Sequence, residues 1–376
     1  MKNENLVTTV QEVEIDWTRI SGDYSRLVEE EIEEYSNIVV TEGLREGGVH
    51  EQKAWGYWFE YLSEHIWKTS LNDEILQFCR SIDDPRILSL GCGYGGVELE
   101  IAQSLKSAYE ITAVDLNPGI LAKARSEAKA KKLNIRFLSL DVNFVEINEN
   151  SFDLIIAHAS LHHFLNLEHV FSQIHRGLKD HGRLIVQDII GKTQVLFWKQ
   201  NVDFAIDLVQ KMPPKYSAGI DLPPYSEPSI QIGMEGIRQE EIESLLSDYF
   251  IPIKMFKYGS FMRMICTHPD LGKRLDPDVE ADRQYLQSLF DLDVRQVGEG
   301  RLRPTEMLAV YEKKHSVNVE IINAVACARI DQAAKERELA QAMINKIFAS
   351  RSWRIAAKIQ RIANSLRELW NKLPRN

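Results

Sequence analysis

The chain has 376 residues, 44% hydrophobic and 27% charged, which suits a soluble globular protein with one large domain and appendages. Its net charge of −10 argues against a duplex-binding protein, and no apolar run of about 18 residues is present to span a bilayer. Cys79, Cys92, Cys266 and Cys327 lie far apart without paired spacing, so they read as reduced thiols rather than a disulfide frame or zinc site.

The charge is unevenly spread. Residues 343–376 carry eight basic residues and one acidic, about +7, which leaves −17 on the rest of the chain. The start, Met1-Lys2-Asn3-Glu4-Asn5, lacks the charged-then-apolar layout of a secretory signal, so a cytoplasmic protein is expected.

Taken in order, Tyr24 to Tyr35 is an acid-rich helix candidate with Leu27, Ile32 and Tyr35 as sparse apolar contacts. Gly43, Gly47 and Gly48 interrupt the pattern. The aromatic run Trp55 to Leu62 is either the cover of a sheet edge or a lid over a ligand. Leu71 to Cys79 continues as helix until Asp83-Asp84-Pro85 stops it. From residue 86 onward, strands are predicted at 86–90, 110–115, 134–139, 152–157, 183–188, 251–257 and 306–312, with helices at 97–106, 118–132 and 167–178 between the early ones. This alternation implies right-handed crossovers and a mostly parallel sheet covered on both faces. Residues 191–250 exceed a simple crossover. A helix from Val195 to Lys211, a Pro- and Tyr-rich loop to Pro228 and a helix near 240–247 predict an insert lid. Beyond Lys314 the pattern turns helical, with Ile355, Ile359, Ile362, Leu366, Leu369 and Leu373 on one stripe.

The stretch Ile87-Leu88-Ser89-Leu90-Gly91-Cys92-Gly93-Tyr94-Gly95-Gly96 reads as a short buried strand and a glycine turn against which a ligand can lie. With four later motifs in order, it resembles the class I S-adenosylmethionine-dependent methyltransferases over roughly residues 85–314. Leu88 to Gly95 resembles the glycine loop under the cofactor's methionine and ribose, and Ile111 to Pro118 the second strand, whose Asp115 would bind the ribose hydroxyls. Arg136 to Val142 resembles the third strand, with Asp141 accepting from the adenine amino group. Phe152 to Phe164 resembles the fourth strand and its loop, and Leu178 to Val186 the turn into the fifth. Family members often carry an acidic residue where Ser89 stands, at the cofactor's amino end; Glu98 either compensates or is simply solvated. Gly91-x-Gly93-x-x-Gly96 also fits a dinucleotide-binding fingerprint, but Asp141 and Leu161-His162-His163-Phe164 favour methyl transfer.

The resemblance implies a doubly wound, seven-stranded, mostly parallel Rossmann-like sheet. A helical N-terminal cap (1–84), the methyltransferase domain (85–314) with its lid at 191–250 and a helical basic tail (315–376) complete the expected layout. Ser89, Gly91, Cys92, Gly93, Asp115, Leu116, Asp141, Val142 and His158 are expected to bind S-adenosylmethionine. His162 or His163 is expected to act as base toward an acceptor hydroxyl, since histidine titrates near neutrality. No carboxylate lies at helical spacing from these histidines, so no metal is assigned.

Asp221-Leu222-Pro223-Pro224-Tyr225 superficially resembles a loop of enzymes that methylate amino groups on bases. There it follows the fourth strand, a place taken here by His158-Ala159-Ser160-Leu161, so it reads as lid. The basic tail is open to three readings: self-association or docking on the acidic body, contact with an anionic membrane at the inner face, or a solvated helix. Ser350 to Ala356 also resembles a short tail of bacterial proteins of envelope polysaccharide biosynthesis. The expected acceptor is therefore a saccharide or other small hydroxyl compound, with no nucleic-acid partner. C- or N-methylation of a quinone-like or other small metabolite, or a scaffold that binds cofactor without catalysis, are the alternatives.

Overall fold

The structure, a computed structural model, describes residues 10–12, 24–36, 40–41, 44–45, 52–228, 233–315 and 317. The chain divides into two units, Met1–Asp16 with Asp23–Val317, and Trp17–Gly22 with Asn318–Asn376. The second unit, and with it the expected tail helices, lies outside the described residues.

Seven strands form the central sheet: β1 (Arg86–Leu90), β2 (Glu110–Asp115), β3 (Ile135–Ser139), β4 (Phe152–His158), β5 (Leu178–Ile189), β6 (Phe250–Tyr258) and β7 (Glu306–Lys313). Their order is β6-β7-β5-β4-β1-β2-β3. β1 to β5 pair in parallel, and β7 enters antiparallel between β5 and β6. This is the doubly wound, mostly parallel sheet expected from the alternation of strands and helices. Ile87 to Leu90 and Phe152 to Ala157 are buried without a polar alternation, because helices cover both faces.

Among the described residues the α-helices of eight residues or more are α1 (Tyr24–Ser36), α2 (Lys53–Tyr61), α3 (Leu71–Cys79), α4 (Gly96–Ser104), α5 (Pro118–Ala130), α6 (Leu167–Gly177), α7 (Lys199–Lys211), α8 (Ile242–Tyr249) and α9 (Glu280–Gly298). Local chemistry sets several ends. Ser70 and Asp73 form a reciprocal capping box at α3, and Asn117 caps α5 through the Gly119 and Ile120 amides with Pro118 at the first helical position. β5 begins five residues before the expected 183, since Leu178 already pairs with Phe152 ahead of a register shift. α7 begins at Lys199 rather than Val195, because Gln194 and Val195 hold positive φ (64° and 55°) that no helix can include.

The aromatic run at 55–62 packs inward. Trp58 is fully buried, edge-on to Tyr258 at 5.7 Å between ring centroids, so the cover reading holds and the lid reading does not. α9 carries no element expected from the sequence. Its buried residues, Asp282, Leu286, Leu289, Phe290, Asp293 and Gln296, include three polar ones that blur the apolar period. Among the described residues no helix is long and apolar enough to cross a membrane.

Candidate active site

The strand order reverses beside β1: β2 and β3 extend one way, β4 and β5 the other. Open α/β sheets bind ligands at the carboxyl ends of strands at such a switch point. A cavity of about 120 Å³ lies there, lined by Gly91 and Gly93 after β1, Asp115 and Leu116 after β2, Asp141 and Val142 after β3, and Ala159, Ser160 and His163 after β4.

Gly91, Gly93 and Gly95 all have positive φ (68°, 53° and 75°). At Gly91 a Cβ would sit 2.6 Å from the Ser160 Cβ, whereas at Gly93 it would meet nothing within 4 Å. Gly91 therefore lets two loops close on each other, and Gly93 leaves room for a ligand. The Gly93 amide donates to Asp115 Oδ2 at 2.8 Å and the Asn117 amide to Oδ1 at 2.9 Å, which aims the carboxylate and still leaves lone pairs for a diol. Burial raises the Asp115 pKa, against these two bonds and the nearby His163.

Asp141 Oδ1 accepts from the Asn143 amide and side chain, both at 3.0 Å, and Oδ2 accepts from the Tyr24 hydroxyl at 2.5 Å. A second donor reaching Asp141 would sit beside Tyr24 or replace it. α1 closes the cavity with Glu31, Ile32 and Tyr35. It is clasped by Asn117 Nδ2, which donates to the Ile32 carbonyl (3.1 Å) and the Ser36 hydroxyl (3.0 Å), and by the Tyr94 hydroxyl, which donates to the Tyr35 carbonyl (3.1 Å).

Past β4, Ala159 takes φ 47° and turns the chain, and Asp188 on β5 organises the loop from Ser160 to His162. Its Oδ2 accepts from the Ser160 and Leu161 amides (2.9 and 2.7 Å), and its Oδ1 lies 2.6 Å from His162 Nδ1. Burial would raise the Asp188 pKa, but His162 and these amides hold it low. His162 Nε2 faces Glu235 Oε1 at 3.6 Å. His163 Nδ1 lies 3.0 Å from Glu31 Oε1, and its Nε2 lies 3.4 Å from Glu235 Oε2. Burial would lower the His163 pKa, but Glu31, Glu235 and Asp188 outweigh it and hold it above the ordinary value.

Four of the expected residues do not line the cavity. Ser89 is buried beneath the glycine loop and donates to Glu98 Oε1 at 2.5 Å; Glu98 is itself buried, and burial lifts its pKa to about 7. The Glu98 side chain thus meets the position where Ser89 replaces a carboxylate. Cys92 packs toward Leu99 and Phe137, and burial pushes its thiol up. His158 ends β4 opposite Gln187, and His162 lies behind His163 against Asp188. Of the insert, Met234 lines the cavity and Glu235 reaches the histidines, whereas Tyr216 docks on Asp282 and Tyr225 on Lys192. Asp188, Glu31, Glu235 and Tyr24 escaped the sequence reading because each is remote in sequence from the motifs it meets.

Residues 87–182 match the family described as methyltransferase domain. This segment is similar to methyltransferase domains. The described residues suit S-adenosylmethionine, the methyl donor expected of such a domain. Gly93 is open, Asp115 has spare acceptor capacity, and the buried Ser160 Oγ on the cavity wall has no hydrogen-bond partner.

The relatives of the methyltransferase domain span several substrates. A malonyl-[acyl-carrier protein] O-methyltransferase of Paenibacillus sp. is 34% identical over 27% of this chain and 38% of its own. A demethylmenaquinone methyltransferase of Thermus thermophilus is 32% identical over 27% of this chain and 46% of its own. Phosphoethanolamine N-methyltransferase 3 of Arabidopsis thaliana is 24% identical over 27% of this chain and 21% of its own. The match thus spans less than half the length of each of these relatives.

Proposed function

We propose that the protein transfers a methyl group from S-adenosylmethionine to a hydroxyl of a small polar acceptor, a saccharide being the class we favour. The carrying observation is that one cavity gathers the glycine loop, Asp115, Asp141 and His163 from the ends of four different strands. The cofactor supplies an electrophilic methyl carried on a sulfonium. Asp115 receives the ribose diol, Asp141 meets the adenine edge, and the glycine loop admits the remainder against the backbone. The acceptor enters on the His163, Phe164 and Met234 side of the cavity. His163, on the cavity wall, is the residue we favour to take the hydroxyl proton, with His162, held at Nδ1 by Asp188, behind it.

Among the described residues no lysine or arginine lines the cavity, while Glu31, Asp115 and Asp141 do. That charge favours an uncharged acceptor over a phosphorylated one. A second reading, N-methylation, is favoured by Glu31 on the cavity wall, which would attract an amine. The test is calorimetry with S-adenosylmethionine and its demethylated product, followed by isotope-labelled methyl transfer to panels of sugars, nucleotide sugars and amines. Labelling of neutral sugars is the expected result. Labelling of amines alone would establish the second reading, and no cofactor binding would end both.

A further inference from the structure

The two histidines and Glu235 form a cluster whose layout exceeds what a proton acceptor needs. His162 Nδ1 is 2.6 Å from Asp188, and His163 Nδ1 is 3.0 Å from Glu31. Each imidazole therefore has one nitrogen against its own carboxylate. The other two nitrogens converge on a third carboxylate, His162 Nε2 at 3.6 Å and His163 Nε2 at 3.4 Å from the two oxygens of Glu235. One donor atom from each of the three residues lies within 4.8 Å of the others. Ligands bound at about 2.1 Å to a shared ion stand roughly 3.0–3.4 Å apart, so the donors would close by up to about 1.4 Å around an ion, a shift that side-chain rotation can supply. Metal-bound histidines characteristically donate their second N–H to a carboxylate or carbonyl, which fixes the tautomer and the ring direction. Here His162 has such a carboxylate in Asp188, and Glu31 Oε1 lies 3.0 Å from His163 Nδ1 without a hydrogen bond in the present side-chain geometry.

The support is rigid as well. Ile237 donates its amide to the His162 carbonyl (3.1 Å), and Gln194 donates its amide to the Gly236 carbonyl (2.9 Å). Arg238 grips Glu168 through two bonds of 2.6 and 2.8 Å. The chain just after Glu235 is thus held at Gly236, Ile237 and Arg238. Three carboxylates, Glu31, Asp188 and Glu235, stand around the two imidazoles. The Tyr35 hydroxyl, 3.2 Å from Glu235 Oε2, adds a further oxygen at the edge.

We propose that His162, His163 and Glu235 bind a first-row divalent cation, with Asp188 and Glu31 orienting the two imidazoles. Two histidines and one carboxylate leave coordination positions open, as in sites that bind a substrate oxygen. With the cation in place His162 serves as a ligand, and the cation rather than the imidazole makes a bound hydroxyl acidic. The site goes beyond the methyl-transfer reading and can be tested apart from it.

The test uses the full chain, free of any affinity tag and stripped with a chelator. Co²⁺ is titrated while its visible ligand-field absorption is followed, and Zn²⁺ uptake is measured by calorimetry. The expected result is one saturating ion per chain. Glu235→Ala is expected to weaken binding at least about a hundredfold, and the orienting change Asp188→Asn about 10- to 100-fold. Glu235 is partly exposed and its loss should leave the fold intact, which circular dichroism checks. No saturable uptake, or equal uptake by wild type and Glu235→Ala, would overturn the site. Affinity for the demethylated cofactor is measured on the same samples. Cofactor binding without metal binding sinks this inference alone, and metal binding without cofactor binding sinks the methyl-transfer reading alone.

Discussion

Asp115 concentrates several duties in one side chain. It braces the glycine loop through Gly93, starts α5 through Asn117 and faces the cavity with the lone pairs that remain. Asp115→Ala is expected to weaken S-adenosylmethionine binding about tenfold or more, the loss of a charge-assisted bond pair, read by calorimetry. An unchanged affinity would remove the ribose role. Glu98 is the opposite case, a carboxyl whose burial disfavours its charge. Its pKa rises from 4.5 to about 7 on folding, so it favours the folded state below about pH 4.5, and that contribution is lost as pH rises toward 7. The full difference corresponds to roughly 3 kcal/mol. Glu98→Gln keeps a partner for Ser89 without a charge, so its stability should fall less than that of wild type between pH 5 and pH 8 in denaturant titrations. Parallel curves would show that Glu98 ionises as readily folded as unfolded.

At the scale of elements, α1 decides how the cavity opens. Among its polar clasps, the Tyr94 hydroxyl on the Tyr35 carbonyl ties the helix to the glycine loop. Entry and exit of a ligand require such contacts to break, which places their energy in the release rate. Tyr94→Phe removes about 1 kcal/mol of hydrogen bonding and is expected to speed cofactor release about fivefold with little change in association, measured by stopped flow. Slower or equal release would mean that the helix does not gate the cavity. The Pro- and Tyr-rich loop, expected to be the lid, instead binds Tyr216 to Asp282 and stacks it on Tyr285 at 4.8 Å.

Across the whole molecule, α9 ties down the end of β6 and the turn after it. Asp293 is fully buried and accepts the amides of Gly259 (3.1 Å), Ser260 (2.9 Å) and Phe261 (3.0 Å) together with the Ser260 hydroxyl (2.6 Å). Asp293→Ala would leave these donors buried without an acceptor, costing about 3 kcal/mol and lowering the unfolding temperature by roughly 5 °C or more. Calorimetric scanning reads this loss. Cofactor affinity in the folded variant should not change, because Asp293 is not among the residues lining the cavity.

The sequence by itself determined the strands from 86 to 189, the helices between them and the switch-point loops, since each is written in a contiguous period, glycine or cap. It also carried Gly91, Gly93, Asp115, Asp141 and His163 to the cavity, because strand tips in a parallel sheet meet at one edge. Only the tertiary structure decided their partners. Tyr24 reaches Asp141 across 117 positions, Glu31 reaches His163, and Glu235 reaches both histidines from the insert. No local pattern encodes such meetings, for they depend on how helices and loops pack over the sheet. α9 was hidden for a related reason: Asp293 serves a distant turn and so breaks the apolar stripe of its own helix.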